Sequence, residues 1–400
     1  MRICHIITRL LNGGADENTI LTCNQQVQLG HEILLVYGNE SHSEILDKVD
    51  PQVKTLQLLD LRRAVNPFLD IKATFEILRV LRDFQPEVLH THTSKAGILG
   101  RICGRIINVA VIIHGVHILP FMNVGKVQQI VYVLAERWVS RWTDHYICVS
   151  DALMRENIQY GVANRDKHSV VASGMDIQRY KEAKKMQWDE LIVDLPAASK
   201  YNKSIVYVGA LETRKRQCEL LNIFKEVNVQ HPDTFLVLVG GGKDYDRIKE
   251  CIAMLNLESN VFLTGFRDDV ELFIKSSDIC VLASEREGLA RVLVQYGLAG
   301  RPIVTTQLPG VEVVVRHNKN GYIVPADSLD KMVGPICSLL ADDEKREHFS
   351  RASSQIDFTE WSLEKMVRSI ESIYKEVLEL KRSSIKLNNS PSCPYLETKI

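Results

Sequence analysis

The 400-residue sequence has almost no net charge, since 49 Lys and Arg residues face 50 Asp and Glu residues. Nucleic-acid-binding domains normally carry a basic excess, so this balance argues against nucleic acid as a partner. Long hydrophobic runs are also lacking, because the most apolar segment, residues 106–121, is interrupted by Asn, His, Gly and Pro. The apolar core of the N-terminus is too short for a signal peptide, and we expect a cytoplasmic protein.

Metal-binding and redox motifs are lacking as well. The nine cysteines show no Cys-x-x-Cys pair and no zinc-ligand spacing, so we interpret them as small apolar residues of a reducing compartment. His90 and His92 have no carboxylate or cysteine at ligand spacing, and we predict no metal site there. The glycine pair Gly13 and Gly14 is not a complete Gly-x-Gly-x-x-Gly, which disfavours a dinucleotide-dependent oxidoreductase.

Apolar strand patterns alternate with helical patterns along most of the chain, as in parallel sheets built from βαβ units. The predicted strands are residues 3–8, 33–37, 88–90, 109–114 and 145–149, then 204–209, 234–239, 261–263, 279–282 and 302–305. A polar stretch at 181–203 separates the two series. We therefore predict an α/β protein with two doubly wound, Rossmann-like domains, residues 1–180 and 204–358, facing a central cleft.

The segment that follows strand 279–282 predicts an anion-binding site. Glu287 lies at the turn from this strand to a helical pattern that ends at Gly300-Arg301-Pro302. Free backbone N–H groups and the helix dipole at such a turn favour a phosphate. Gln295 lies about 12 Å further along the helix, roughly the reach of a nucleotide sugar from hexose to ribose. The simpler alternative is an acidic helix start with a solvent-facing glutamine.

Two cations begin the predicted helix near residues 214–230. Arg214 and Lys215 oppose the helix dipole, which costs stability unless an anion binds there. A diphosphate would remove that cost, whereas the alternative is an ordinary solvated basic patch.

Other predicted strands end in residues suited to ligand binding, because ligands of such sheets bind at the carboxyl ends of the strands. His114 ends strand 109–114, and Gly240 follows strand 234–239. Phe266 and Arg267 follow strand 261–263, and we predict a helix-capping role for the acidic pair 268–269. Ordinary turn glycines and loop residues are the alternative interpretation.

The segment from Glu287 to Gln295 resembles the Glu-x7-Glu motif of the retaining family-4 glycosyltransferases, which have the GT-B fold. The family pattern has a second glutamate and a second glycine where this chain has Gln295 and Ala290. Lys215 matches the lysine of the family's Gly-Arg-Leu-x-x-x-Lys-Gly motif, whose arginine is Ala210 here. Gln295 keeps an acceptor oxygen but loses the charge of the family's glutamate.

The resemblance implies a metal-independent enzyme that needs no cofactor and uses a UDP-sugar as its donor substrate. Lys215, with Arg214, would stabilise the departing diphosphate. Glu287 and His114 would orient the hexose, and Gln295 would bind the ribose. Further donor contacts are expected from Gly13, Gly14, Gly240, Phe266, Arg267, Gly288 and Leu289.

Residues 90–97, His-Thr-His-Thr-Ser-Lys-Ala-Gly, resemble members of the family that build cell-surface polysaccharides. We therefore expect a hexose or N-acetylhexosamine to be transferred to a glycan or glycoconjugate acceptor. The acceptor stays open, and a lipid-linked molecule is one class. Residues 126–142 have the pattern of an ordinary amphipathic helix, and contact with the inner face of the membrane or with the acceptor is the alternative. The resemblance also implies that a last helix, 362–381, packs back on the first domain, and we expect residues 383–400 to be mobile.

Two other functions fit the same residues. A sugar-nucleotide 2-epimerase shares the fold but needs an acidic pair that we cannot place. A non-catalytic nucleotide-sugar-binding subunit of a transferase complex would explain Ala210 and Gln295. Release of free UDP separates the three hypotheses, because only a transferase is expected to produce it.

Overall fold

The computed structural model describes residues 1–11, 14–41, 43–121, 124–192, 201–287 and 290–388. These residues form two compact units. Unit 1 consists of Met1–Gly174 together with the chain from Leu363 onward, and unit 2 is Met175–Ser362. The boundary therefore lies at Gly174 rather than near residue 180.

Strands and helices alternate along both units. The strands are β1 (Arg2–Ile7), β2 (Glu32–Gly38), β3 (Lys54–Leu58), β4 (Val88–His92), β5 (Val111–Val116), β6 (His145–Cys148), β7 (His168–Val170), β8 (Lys203–Val208), β9 (Thr234–Val239), β10 (Val261–Gly265), β11 (Ile279–Leu282), β12 (Ile303–Thr306) and β13 (Gly321–Val324). The helices are α1 (Gly14–Gln28), α2 (Ser43–Leu46), α3 (Pro67–Phe84), α4 (Ser94–Ile106), α5 (Lys126–Val139), α6 (Asp151–Gln159), α7 (Ile177–Lys181), α8 (Trp188–Leu191), α9 (Gln217–Gln230), α10 (Tyr245–Met254), α11 (Val270–Ser276), α12 (Arg291–Leu298), α13 (Val333–Ala341), α14 (Asp343–Ser354) and α15 (Leu363–Asn388).

Each unit contains one parallel sheet. The seven strands of unit 1 lie in the order β3-β2-β1-β4-β5-β6-β7, and the six strands of unit 2 in the order β10-β9-β8-β11-β12-β13. In both sheets the strand order reverses beside the first strand of the unit, which is the doubly wound arrangement. The predicted α/β class with two Rossmann-like sheets is confirmed.

The sheet of unit 1 is covered on both faces, as parallel sheets require. Alternate residues of β1 point to opposite faces, so Ile3 and Ile7 join one apolar cluster while Cys4 and Ile6 join the other. The first cluster contains residues of α1 and α15, and the second contains residues of α3 and α4. The C-terminal helix is thus part of the core of unit 1.

Several predicted bounds differ from the structure. Helix α15 continues to Asn388, so the stretch without regular structure does not begin at residue 383, and residues 389–400 lie outside the described residues. The sequence prediction also missed β3, β7 and β13. All three are edge strands of three to five residues, and β3 is almost fully exposed. Strands β3 and β7 lack the continuous apolar run by which a buried parallel strand is recognised, whereas β13 is apolar but only four residues long.

Candidate functional site

The turn after β8 differs from the predicted helix start. A 3-10 turn spans Thr213–Lys215, and α9 begins only at Gln217. Between them Arg216 adopts a left-handed conformation with φ of 60°. The prediction that Arg214 and Lys215 form the first turn of a helix was therefore wrong, and both cations lie before it.

Lys215 and Arg214 both bind Glu287. The Lys215 ammonium donates to Oε1 of Glu287, and Arg214 Nη1 donates to Oε2 at 3.1 Å. Arg214 Nε also donates to Glu212 Oε2 at 2.9 Å. The side chains of Lys215 and Glu287 are only 11% and 10% exposed, so this pair lies largely out of water.

The ion cluster keeps Glu287 ionised. Burial by itself raises the pKa of a carboxyl group, but the charges of Lys215 and Arg214 and the hydrogen bond from Lys215 outweigh it, so the pKa of Glu287 falls below its usual value. The same carboxylate, against the desolvation of the guanidinium, raises the pKa of Arg214. The cluster therefore offers one largely buried cation, Lys215, paired with the largely buried Glu287, and a second cation, Arg214, that is 42% exposed. Electrostatic interactions are strong for the buried pair.

The pairing of Glu287 with Lys215 was missed by the sequence analysis, which placed Glu287 on the hexose and Lys215 on the diphosphate. The two residues are 72 positions apart. They meet because β8 and β11 are neighbours in the parallel sheet, so the turns that follow them lie side by side. Adjacent strand ends were the signal that could have predicted this contact.

Helix α12 carries Gln295 and begins at Arg291, later than the predicted start at residue 288. Gln295 is half-buried. The neighbouring Tyr296 fixes the helix, since its hydroxyl accepts from the Val208 N–H at 2.8 Å and lies 3.3 Å from the Val281 carbonyl oxygen. The helix is thereby held against the ends of β8 and β11. The predicted donor contacts Gly288 and Leu289 lie outside the described residues.

Gly240 has a structural reason to be glycine. Its φ is 147°, and a Cβ atom would lie 2.1 Å from the carbonyl oxygen of Gly209. The end of β9 therefore approaches the end of β8 more closely than any side chain would permit. This close approach accounts for Gly240 whether or not a ligand lies over it.

Phe266 and Arg267 lie just after β10. Phe266 is 46% exposed. Arg267 forms two hydrogen bonds with Asp269, at 2.8 and 2.7 Å, and these bonds lower the pKa of Asp269. Asp269 makes no side-chain capping bond to α11, so the capping role predicted for the acidic pair was wrong for this residue.

In unit 1, His114 lies on β5 and is buried. Burial, and after it the charge of Arg101, lowers the pKa of His114 well below its usual value, so the ring is neutral. Thr91 Oγ1 donates to the carbonyl oxygen of Ile113 and lies 2.9 Å from His114 Nδ1. The Nδ1 atom is therefore the donor, and Nε2 keeps a lone pair that can accept from a hydroxyl group.

Arg101 is a buried residue that the sequence analysis did not single out. Its guanidinium is fully buried and forms an ion pair with Glu136 at 2.8 Å. It also donates a hydrogen bond to the hydroxyl oxygen of Tyr146 at 3.2 Å. The available signal was an Arg in the middle of an apolar and glycine-rich helix, flanked by Gly100 and Ile102.

The glycine-rich loop and the end of β4 also belong to unit 1. Gly14 begins α1, and Gly13 lies outside the described residues. Thr93, directly after β4, has φ of 60°, which is rare for a β-branched residue. Thr93 is held by Thr8, whose N–H and hydroxyl lie 3.1 and 2.7 Å from Thr93 Oγ1. Such strain is typical of functional loops.

His90 and His92 have a third partner that sequence spacing could not reveal. His5, 85 residues earlier, lies beside them because β1 and β4 are paired in register. One nitrogen of each ring lies within 4.8 Å of the others. The spacing argument, which considered carboxylates and cysteines, did not include His5, and the absence of a metal there stays a prediction.

Comparison with known proteins decides the family. Residues 12–179 match the family model described as Glycosyltransferase Family 4, and residues 193–355 match the model described as Glycosyl transferases group 1. The two models together span most of both units. The chain belongs to the family-4 glycosyltransferases.

Relatives of this glycosyltransferase are named for different reactions. It is 25% identical, over 84% of this chain and 87% of the relative, to UDP-Gal:alpha-D-GlcNAc-diphosphoundecaprenol alpha-1,3-galactosyltransferase of Escherichia coli. It is 22% identical, over 88% and 91% of the two chains, to N-acetyl-alpha-D-glucosaminyl L-malate synthase of Bacillus anthracis.

The fold of the glycosyltransferase matches solved structures. The Anabaena protein HepE, in complex with UDP and glucose, superposes with a TM-score of 0.78 at 19% identity, over 93% of this chain and 99% of that chain. The GT-B class expected from the sequence is confirmed. Among the described helices of the glycosyltransferase, none is both long and apolar enough to cross a bilayer.

Proposed function

We propose that this glycosyltransferase moves a hexose or N-acetylhexosamine from a UDP-sugar to an acceptor in cell-surface glycan or glycoconjugate synthesis, with retention of anomeric configuration. The observation that carries the proposal is the ion cluster of Arg214, Lys215 and Glu287 at the ends of two neighbouring strands. The positive charge of this cluster comes from two side chains, so the proposed mechanism does not require a metal ion to supply it.

Lys215 is the residue proposed to stabilise the leaving group. Its ammonium has three N–H donors, of which Glu287 takes one, so the others can reach phosphate oxygens. Charge grows on the diphosphate as the bond from the anomeric carbon to the phosphate oxygen breaks. A fixed cation in a water-poor site stabilises that charge more than it stabilises the ground state.

Retention follows if the acceptor attacks from the face that the diphosphate leaves. The acceptor oxygen forms the new bond to the anomeric carbon, and its proton passes to the departing phosphate oxygen. This balance of bonds and protons requires no covalent enzyme intermediate, no metal and no cofactor. Lys215 and Arg214 then neutralise the product UDP.

The remaining residues are proposed to position the donor. Each Glu287 oxygen already accepts one hydrogen bond and has capacity for another, from a sugar hydroxyl. The Nε2 lone pair of His114 is a second acceptor for the hexose. Gln295 would accept from ribose hydroxyls, and Phe266 with Arg267 would contact the uracil through their backbone.

Two findings on similar proteins support the choice of donor and acceptor. The Escherichia coli relative is named for UDP-Gal and for an acceptor linked to diphosphoundecaprenol. The structure of HepE was solved with UDP and glucose. We accordingly propose a UDP-hexose donor and a lipid-linked acceptor.

A lipid-linked acceptor also gives a role to the exposed apolar residues of unit 1. Helices α3 and α5 both pack against α4 and expose large apolar side chains. These are Phe68, Ile71 and Phe75 on α3, and Val127, Ile130, Val131, Leu134 and Trp138 on α5. Exposed basic residues accompany them at Lys126 and Arg141. We propose that this surface contacts the membrane peripherally, at its cytoplasmic face.

A donor panel tests the proposal. The purified enzyme is incubated with UDP-glucose, UDP-galactose and their N-acetylated forms, with and without extracted polyprenyl-diphosphate acceptors, and free UDP is measured. We expect acceptor-dependent UDP release with one donor and an unchanged anomeric configuration in the product. Inversion, or a sugar-nucleotide that is converted without UDP release, would contradict the proposal and favour an inverting enzyme or an epimerase. Nucleotide binding without turnover would favour the non-catalytic subunit.

A further inference from the structure

Three buried imidazole rings lie close together on one face of the sheet of unit 1. His5 on β1, and His90 and His92 on β4, are at most 2% exposed. His5 Nδ1 lies 3.0 Å from His92 Nε2. One nitrogen from each ring lies within 4.8 Å of the other two. The family resemblance and the proposed sugar transfer assign no task to this trio.

The proton positions around His5 follow from its neighbours. The Glu371 carboxylate can only accept, so the Gln26 amide nitrogen faces it, at 3.2 Å. The Gln26 carbonyl oxygen must then face His5 Nε2, at 2.8 Å, and this nitrogen carries the proton. A neutral ring has one N–H, so His5 Nδ1 presents a bare lone pair toward His92.

His90 leaves one nitrogen unexplained. Its Nδ1 lies 2.5 Å from the hydroxyl oxygen of Tyr374. Its Nε2 is buried and makes no hydrogen bond within the part of the chain that the structure describes. A buried polar atom without a partner is unfavourable, and a bound ion at this nitrogen would account for it.

We propose that His5, His90 and His92 form a transition-metal site, with Zn²⁺ as the ion that the geometry fits. Nitrogen ligands lie about 2.0–2.1 Å from Zn²⁺, which places two ligands of a tetrahedral ion about 3.3 Å apart. The 3.0 Å between His5 Nδ1 and His92 Nε2 is close to that separation. Imidazole sets without thiolate or carboxylate suit zinc and its neighbours in the first transition row.

The outer shell of the site fits this proposal. With His5 Nδ1, His90 Nε2 and His92 Nε2 on the metal, each ring has one remaining N–H. Each of these faces an acceptor: the Gln26 carbonyl oxygen for His5, the Tyr374 hydroxyl oxygen for His90, and the Nε2 atom of His117, at 3.0 Å, for His92.

Metal-binding histidines usually donate their second N–H in this way, often toward a carboxylate. Here Gln26 links His5 to the buried carboxylate of Glu371. Along this hydrogen-bond network, Glu371 is the negative charge that would offset the charge of the ion. Glu371 and Tyr374 belong to α15. The site would therefore fix the C-terminal helix to β1 and β4 and stabilise unit 1, without taking part in sugar transfer.

The test uses full-length enzyme without a polyhistidine tag, stripped with a chelator and dialysed. Zn²⁺ is added, and Tm is measured with free Zn²⁺ present. Bound zinc is measured separately, after loose metal has been removed by gel filtration. We expect one zinc per chain and a Tm raised by about 5 °C or more at a hundredfold excess over Kd. Co²⁺ in place of Zn²⁺ should give the visible absorption of a four-coordinate site.

His90→Asn is the informative variant, because an asparagine amide can replace Nδ1 toward Tyr374 while Nε2 is removed. We expect its metal-free Tm to stay near that of the wild type, with bound zinc and the Tm shift lost. His145→Asn is the matched control, since His145 lies on β6 and bonds Ser169 outside the trio. It should keep the full zinc content.

Two outcomes would overturn the site. The first is a wild-type protein that retains no stoichiometric zinc and shows no cobalt absorption. The second is a His90→Asn protein that binds zinc as the wild type does. The cobalt spectrum of the wild type decides the question even if the variant fails to fold, and none of these readouts depends on transferase activity.

Discussion

Replacing Lys215 with methionine separates a catalytic role of the ion cluster from a stabilising one. Methionine keeps most of the apolar volume at a position that is 11% exposed. Glu287 retains Arg214 at 3.1 Å, so it is not left unpaired. The loss of stability should therefore fall below the roughly 3–5 kcal/mol typical of a buried pair that loses one partner. We expect about 1–2 kcal/mol, or about 2–8 °C in Tm for a domain of this size.

The effect of Lys215→Met on turnover should be much larger. Removal of one group that stabilises the charge of the transition state costs about 10²–10³-fold in kcat. The affinity for UDP should change less, because Arg214, the second proposed diphosphate contact, is retained. UDP release measures the rate, and calorimetric titration with UDP measures the affinity.

The variant Glu287→Gln completes a double-mutant cycle with Lys215→Met. It removes the carboxylate partner of the largely buried Lys215, while Arg214 keeps Glu212, so we expect a greater loss of stability than in Lys215→Met. In the double variant Lys215→Met/Glu287→Gln, the two losses should not add, with a coupling of about 1–3 kcal/mol. Lys331→Ala, an exposed lysine of unit 2, serves as the control.

A normal kcat in Lys215→Met, combined with lowered stability, would refute the reasoning. The cluster would then be a structural ion pair, and the leaving group would need another cation. Additive losses in the double variant would instead show that the Lys215–Glu287 contact is not formed in solution.

The same cluster predicts a pH dependence of stability. The pKa of Glu287 is lower in the folded state than in the unfolded state. Its contribution is therefore fully present above the unfolded pKa and is lost as the pH falls through the folded pKa. Without the charge of Lys215 the folded pKa rises, so acid unfolding of Lys215→Met should begin at a higher pH. Circular dichroism of both proteins between neutral and acidic pH measures the two midpoints, and identical midpoints would contradict the prediction.

Three further predictions concern other parts of the molecule. Gln295→Ala should raise the donor KM with little change in kcat, at a cost of about 1–2 kcal/mol of binding, and Gln295→Glu should bind the donor at least as well as the wild type; an unchanged KM in Gln295→Ala would show that α12 is not laid along the nucleotide. Gly297→Ala should cost about 1–3 kcal/mol, because its Cβ would lie 2.4 Å from Cζ of buried Phe358, whereas Gly334→Ala, another helical glycine with open space, should gain about 0.5–1 kcal/mol in thermal unfolding. Turnover in a short assay with excess EDTA should equal turnover with Mg²⁺, since the proposed cations are side chains; loss that Mg²⁺ or Mn²⁺ restores would contradict this.

The sequence by itself determined the fold class and the residues of the candidate site in unit 2. Buried parallel strands must be apolar along their whole length, so runs such as 234–239 and 279–282 coincide with β9 and β11. Ligand-binding residues commonly follow such strands, and for this reason Lys215 and Glu287 could be named as candidate site residues without coordinates. The edge strand β3 escaped because solvent covers most of it and removes the pattern.

Only the tertiary structure decided which of these residues touch. Strand order brings the turns after β8 and β11 together, and that order is a property of the sheet that spacing along the chain does not carry. The same holds for His5 beside His90 and His92, which meet through the register of β1 with β4. The position of the proton on His5 also depends on tertiary structure, because Gln26 is oriented by Glu371 from the C-terminal helix. Contacts of this kind arise from packing between distant segments, so residue types alone cannot predict them.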